Sequence, residues 1–157
     1  MTPTPMQFSI RRAVPDDAPQ LSQLAQQAKA HWNYPADWLT AWKSELTIEP
    51  RYLIEHRVLV AENADRIVGM CALEDRGTSW SLEHVWVDPK SMGQGVGRTL
   101  VQQALDLARA VRPGRVVAEA DPNAAGFYRR MGASEIGAVP ASMPGAPDRV
   151  LPVFAFV

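Results

Sequence analysis

Gly93, Gly95 and Gly97 stand at alternate positions in 92-MGQGVGRTL-100, between 82-LEHVWVDP-89 and a long alanine- and leucine-rich segment. Glycine is among the poorest helix formers, yet these residues open what otherwise reads as a helix. Without a Cβ, alternating glycines let several backbone N–H groups turn toward one point and let a ligand approach the main chain closely. A helix N-terminus adds unpaired N–H donors and the positive end of its dipole. Strand, glycine turn and helix in that order favour a bound phosphate. An ordinary glycine-rich turn fits the same residues, whereas two other phosphate motifs do not. A Walker loop requires Gly-Lys-Ser/Thr where this chain has Gly97-Arg98-Thr99, and a dinucleotide fingerprint requires G-x-G-x-x-G where the spacing here is G-x-G-x-G.

Other chemistries have less to build on. Cys71 is the only cysteine, so no intrachain disulfide or multi-cysteine metal site is expected. His31, His56 and His84 are scattered without a ligand-like spacing, so no metal is expected either. A formal net charge of -1 gives no reason to expect a nucleic-acid surface. The N-terminal MTPTPMQFSIRR lacks the apolar core of a signal peptide, and no run approaches the roughly 18 apolar residues of a spanning helix. No membrane partner is expected, and the cytoplasm is the expected location. With 46% apolar and 21% charged residues, the 157-residue chain reads as one globular domain, 1–157, with no need of staples for its core.

The elements that must position the glycine turn follow from periodicity. Residues 7-QFSIRRAV-14 read as a strand closed by Pro15; Asp16 and Asp17 then suit a helix start, followed by the apolar stripe Leu21, Leu24, Ala25 and Ala28. The segment 31-HWNY-34 breaks this helix. A second helix is read over 35-PADWLTAWKSEL-46, with Trp38, Leu39, Trp42 and Leu46 on its apolar face. Strands 57-RVLVAEN-63 and 66-RIVGMCALED-75 form a hairpin, and 79-SWSLEHVWV-87 follows a turn at Gly77. A helix from about Gly95 to Arg112 stops at Pro113-Gly114. Then come a strand at 115–120, a short helix in 122-PNAAGFYRRMG-132, a strand at 133–139, a proline-rich loop and the strand 150-VLPVFAFV-157. The last strand could pair within the sheet or across a homodimer. The order is mixed α/β with sequential hairpins in the middle, α+β-like in character.

Two signatures in this order resemble the GNAT superfamily of acetyl-CoA-dependent N-acetyltransferases. The first is Val85-Trp86-Val87-Asp88-Pro89 followed by Met92-Gly93-Gln94-Gly95-Val96-Gly97, similar to the family's strand end and its Arg/Gln-x-x-Gly-x-Gly/Ala helix opening. The second is Asn123-Ala124-Ala125-Gly126-Phe127-Tyr128 with Met131-Gly132-Ala133, similar to the family's Phe-Tyr helix before a glycine. Met92 departs from the pattern, since it offers only its backbone where the family has Arg or Gln. The resemblance implies a central, mostly antiparallel twisted sheet flanked by helices and splayed at its fourth and fifth strands. It implies acetyl-CoA as the cofactor, with the pyrophosphate on N–H groups from Gln94 to Arg98 and the pantetheine arm along Val85, Trp86 and Val87. Asn123, Ala125, Phe127 and Tyr128 complete the cofactor-binding set that it implies.

Direct acetyl transfer needs a neutral amine, a route for its proton and an acid for the departing thiolate. By the resemblance, Tyr128 is the acid candidate and Glu83 the base candidate, with His84 as the alternative base. Strand periodicity puts Ser81, Glu83, Val85 and Val87 on one face and Trp80, Leu82, His84 and Trp86 on the other, unless a bulge shifts the phase. His31, Trp32, Tyr34, Trp80 and His84 are the acceptor-pocket candidates, with the loop Ser142–Gly145 behind them. Cys71 reads as a core residue rather than a nucleophile. The implied activity is acetylation of a primary amine on a small molecule, amino acid or protein. The alternatives are a non-catalytic acyl-CoA sensor and a toxin-like aminoacyl-tRNA acetyltransferase; the latter calls for a basic surface that this chain offers only at Arg109-Arg112 and Arg129-Arg130.

Overall fold

A computed structural model of the chain describes residues 6–156. Val157, read from sequence as the end of the last strand, lies outside them, as does the MTPTP start of the N-terminal segment. The elements run β1 (Ser9–Arg12), α1 (Ala18–Ala30), α2 (Ala36–Trp42), α3 (Pro50–Glu55), β2 (Arg57–Asn63), β3 (Arg66–Asp75), β4 (Ser79–Val87), α4 (Val96–Val111), β5 (Arg115–Glu119), α5 (Ala125–Arg130), β6 (Ser134–Pro140) and β7 (Val150–Phe156). The strands form one sheet in the order β1-β2-β3-β4-β5-β7-β6. Its β4–β5 pair is parallel, while β1–β2, β5–β7 and β6–β7 are antiparallel. No helix among the described residues is long and apolar enough to cross a membrane. The chain divides into two compact units. The first runs to Ala72 and resumes over His84–Ala104; the second holds Leu73–Glu83 and the chain from Leu105 onward.

In the first unit, Ala18, Leu21 and Leu24 of α1 pack with Ile48, Leu53, Val58, Val60, Ile67 and Met70, and Tyr52 and Trp86 pack against this cluster. The entry to α1 is fixed by charge. Arg11 donates to both Asp17 carboxylate oxygens, at 2.9 and 3.0 Å, and also pairs with Glu62 of β2. Asp17 in turn accepts from the Val14 N–H at 2.8 Å. Hydrogen bonding to Arg11 therefore holds the Asp17 carboxyl below its usual range, against the opposing effect of burial.

The largest departures from the sequence reading lie in the first half of the chain. β1 is shorter than 7–14, and α2 ends at Trp42 because Lys43–Leu46 turn instead of continuing the helix. α3 was not foreseen. It is a helix of six residues with one fully buried apolar side chain, Leu53, too short to show a stripe; its signal is Pro50 at the first position, where the missing N–H costs nothing.

Gly69 in β3 governs how α4 docks. A Cβ built there would stand 2.7 Å from Val96 Cγ1 and 2.9 Å from Leu100 Cδ1, distances that packed atoms do not tolerate. Only a glycine lets the first turn of α4 sit this close to the strand.

In the second unit, β5 and β6 flank β7, so the last strand pairs within the sheet on both sides. The register of β4 with β5 runs from Ser79↔Arg115 to Ser81↔Val117 and goes no further, so the splay begins before Val85. Arg112 caps this end: its guanidinium lies 4.2 Å from the Trp80 ring, donates to the Ser79 carbonyl at 3.0 Å and pairs with Asp75. β6 is the exposed outer strand, with a register shift between Glu135 and Gly137.

Two stability measurements check these constraints. Gly69→Val overpacks the β3–α4 contact and is expected to cost about 1–3 kcal/mol in urea unfolding; an unchanged midpoint would show that the close approach is not needed. Asp17→Asn is expected to cost about 1–2 kcal/mol at pH 7. Because the folded carboxyl sits below its ordinary value of 3.8, this contribution is complete above that pH and fades as pH falls through the lower folded value. Wild type and variant should therefore converge in acid.

Candidate active site

The glycine turn is set by what precedes it. Asp88 at the end of β4 is 6% exposed; its N–H donates to the Val68 carbonyl at 2.9 Å, and its carboxylate accepts the Lys90 N–H at 3.0 Å and pairs with Arg66. A 3-10 turn over Pro89–Ser91 then delivers the chain to Met92. Gly93 and Gly95 adopt positive φ values of 78° and 84°, and a Cβ at either would meet no atom within 4 Å. The conformation calls for glycine at these two positions, and the space beside both is open to a ligand. Gly97, by contrast, lies inside the first turn of α4.

The Gly95 carbonyl accepts the Thr99 N–H at 3.0 Å, the first hydrogen bond of the helix. The N–H groups of Val96, Gly97 and Arg98 therefore precede the first intrahelical donor. With Val96 1% and Leu100 0% exposed against Gly69, this end of α4 is held firmly. Met92, Gln94 and Arg98 are exposed around it, and Gln94 Oε1 accepts the Met6 N–H at 3.3 Å. These residues fit an anionic group on the main chain.

β4 changes character at His84, whose φ of 50° lies in the left-handed region. Such a residue in a strand is strained and rotates the following side chains off the period of two. The alternation expected through Val87 consequently holds only as far as Glu83: Trp80 and Leu82 are buried, whereas His84, Val85, Trp86 and Val87 are all half-buried. His84 Nδ1 accepts Trp86 Nε1–H at 3.2 Å, and its ring meets that of Tyr52 edge-on at 5.5 Å. Accepting at Nδ1 leaves the neutral imidazole with its proton on Nε2.

Glu83 lies in the second unit, where Ser81 Oγ donates to its Oε1 at 2.7 Å. Burial pushes its carboxyl above the ordinary value, the Ser81 hydrogen bond partly opposes this, and the nearby charges of Glu74 and Glu119 add to the rise. Tyr128 is 5% exposed, stacked on Phe154 at 5.6 Å and edge-on to Phe127 at 5.3 Å. The end of α5 fixes its backbone. Gly132, at φ 88°, donates to the Arg129 carbonyl at 3.0 Å, and Ala133 donates to the Tyr128 carbonyl at 3.1 Å. This pair of bonds is a Schellman cap, and it accounts for the glycine that follows the Phe-Tyr pair. Asn123 donates from backbone and side chain to Asp121, at 2.9 and 3.0 Å, which caps the 3-10 turn leading into α5. Ala125 is buried and Phe127 half-buried.

The acceptor-pocket candidates separate. His31 and Trp32 touch edge-on at 4.8 Å, and Trp32 is 38% exposed. Tyr34 joins Trp38 and Trp42, at 5.7 and 4.9 Å. Trp80 is 0% exposed under Arg112, a core position with no surface to offer a pocket. The loop Ser142–Gly145 closes on itself, with Met143 and Ala146 bridged and Ser142 Oγ donating to the Pro147 carbonyl at 2.6 Å. Burial pushes the Cys71 thiol up to about 12, so it is no nucleophile near neutral pH. The first unit thus gathers Val85–Val87, Met92–Arg98, His84 and the Tyr34 aromatics, while the second holds Glu83, Asn123, Ala125, Phe127 and Tyr128. Gly69 and the Arg66–Asp88 pair went unread; a lone glycine inside an apolar strand run was the available signal for the first.

The Schellman cap is testable. Gly132→Ala places a Cβ in the left-handed region and is expected to lower stability by about 1–2 kcal/mol, with Gly132→Asn losing less. Equal melting temperatures for all three proteins would dismiss this account of the glycine.

Residues 55–132 match the family described as acetyltransferase (GNAT) domain. Among curated proteins, none matches the sequence. Among solved structures, the fold is similar to PaiA N-acetyltransferase from Thermoplasma acidophilum in complex with coenzyme A, with TM-score 0.76 and 14% identity over 96% of this chain and 98% of that one. It is also similar to ribosomal-protein-alanine N-acetyltransferase from Brucella melitensis, with TM-score 0.71 and 25% identity over 95% and 99%. YncA from Salmonella typhimurium with acetyl-CoA gives TM-score 0.67 and 20% identity over 95% and 92%. A glycine turn feeding a docked helix, a strand broken at His84, the capped Phe-Tyr helix and this domain match agree, and the chain belongs to the GNAT superfamily of acetyltransferases.

Proposed function

We propose that residues 1–157 act as one acetyl-CoA-dependent N-acetyltransferase domain that acetylates a primary amine of a small molecule, amino acid or protein. The observation that carries this reading is the turn through Gly93 and Gly95, with positive φ and open space at both, entering a helix whose first N–H groups have no intrahelical partner. Those N–H groups would hold the pyrophosphate of the cofactor, with Arg98 beside them, and Val85–Val87 would pair with its extended arm as an added strand does.

When bound, acetyl-CoA supplies the thioester, whose C–S bond breaks as the C–N bond to the acceptor forms. Glu83, directly or through a water molecule, takes a proton from the acceptor ammonium, which frees the nitrogen lone pair for attack. The second nitrogen proton leaves to solvent after the bond has formed, and the Tyr128 hydroxyl donates its proton to the departing sulfur and is reprotonated from solvent. A carboxyl raised by burial is better matched to proton transfer near neutral pH than an exposed one.

Titration calorimetry with acetyl-CoA tests the cradle: micromolar binding that weakens for a ligand lacking the pyrophosphate supports it, and no binding removes the enzyme reading. Release of CoA thiol across a panel of amines tests turnover. Tight cofactor binding with only background release would favour an acyl-CoA sensor, the alternative that the exposed Met92 side chain keeps open.

Glu83 gives a signed pH prediction. Activity should rise with pH through a limb lying above the ordinary glutamate value of 4.5. Ser81→Ala removes the hydrogen bond that favours the charged form, so the limb should move further up. Glu83→Gln should lower turnover about 10²–10⁴-fold. Because the folded pKa is raised, the group's contribution to stability is complete below the ordinary value and is lost as pH rises through the folded one. At pH 7 the Gln variant should therefore melt no lower than wild type; a lower melt with intact turnover would sink the assignment.

A further inference from the structure

Lys29, near the end of α1, directs its ammonium into a group of aromatic rings within the first unit. Its Nζ lies 4.2 Å from the ring centroid of Trp42, 5.1 Å from that of Tyr34 and 6.0 Å from that of Trp86. Trp38 backs the group, stacked on Tyr34 at 5.7 Å and edge-on to Trp42 at 5.8 Å. The rings come from three places in the chain: the break after α1, α2 and β4. Trp86 is fixed by its hydrogen bond to His84, the left-handed residue of β4.

A cation facing several aromatic rings is the arrangement that recognises ammonium and quaternary ammonium groups. Packing alone does not ask for it. Lys29 follows the buried Ala25 and Ala28 on α1 and is itself half-buried, with its ammonium turned toward the rings. A lysine on a flexible stem can also leave, because its head is strongly hydrated and its chain is long. The group is not sealed: Tyr34 and Trp86 are half-buried, while Trp42 at 9% exposed forms its floor.

We propose that Tyr34, Trp42 and Trp86 form a subsite for a compact cationic group of the acceptor, and that Lys29 fills it as an internal competitor until such a group arrives. This rests on the acetyltransferase reading and narrows its substrate class. A nitrogen held as a cation has no lone pair to attack with, so the group in the box is not the one acetylated. The acceptor is then an amine carrying a second, fixed or protonated positive charge, such as a diamine or an amine with a quaternary ammonium group.

The probe is tetramethylammonium chloride, titrated at constant ionic strength against sodium chloride and read by tryptophan fluorescence. Lys29→Met should bind it about tenfold more tightly than wild type, because the competitor is gone, and Lys29→Met combined with Trp42→Leu should lose the gain. A second measurement needs no variant: in the wild-type protein, tetramethylammonium should displace Lys29 and raise its labelling by an amine-reactive ester several-fold, located by peptide mass spectrometry. No tighter binding by a folded Lys29→Met protein, or labelling of Lys29 that does not change, overturns the proposal. CoA-thiol release separates this from the underlying reading. A protein that acetylates monoamines as well as diamines and shows neither gain keeps its acetyltransferase function and loses the box. One that turns over no amine yet gains tetramethylammonium binding keeps the box and loses the enzyme reading.

Discussion

The close approach of α4 to β3 at Gly69 is the constraint on which the cofactor side of the protein depends. With no Cβ in the way, Val96 and Leu100 press against the strand, and the first turn of the helix is held by the core. The open N–H groups at that turn are useful for binding only if they do not move when an anion arrives. Gly93 and Gly95 shape the turn of the proposed cradle, and Gly69 lets its helix sit against the strand. Asp88 does the same for the other end of the turn, tying β4 to Arg66, to the Val68 carbonyl and to the Lys90 N–H.

A second constraint divides β4. Up to Glu83 the strand is regular, alternating buried and half-buried residues, and its first part pairs with β5. At His84 the backbone turns left-handed. Strain at a non-glycine residue persists only where surrounding contacts hold it. Here Tyr52 and Trp86 pack around the imidazole and fix it. The same change of phase gives Glu83 and Val85 different surroundings although they are two residues apart. One is a half-buried acid bonded to Ser81; the other begins the segment assigned to the cofactor arm.

Much of this was legible in the sequence. Strand and helix order followed from periodicity, and the G-x-G-x-G turn announced itself because glycine is expensive where a helix starts. What escaped had weaker signals for definite reasons. α3 has six residues and so carries no stripe. The break in β4 falls on a histidine, which gives no hint of positive φ in the way that a glycine does. Gly69 sits in an apolar run whose composition reads as strand with or without it. Trp80 was read as a pocket candidate; only the fold reveals that it is buried and that Arg112 covers it. Lys29 and Trp86 are 57 positions apart in sequence, and no spacing rule connects them.

The outer strand β6 bears on how copies of the protein meet. A long, flat edge offers unpaired N–H and C=O groups to any neighbouring chain. β6 has a register shift between Glu135 and Gly137, a proline at its last position, and an Arg129–Glu135 pair at 2.6 Å beside its start. The opposite edge, β1, has only four residues and carries Arg11 and Arg12. Both margins of the sheet are blunted by irregularity, brevity or charge, so strand-to-strand growth is resisted at each end.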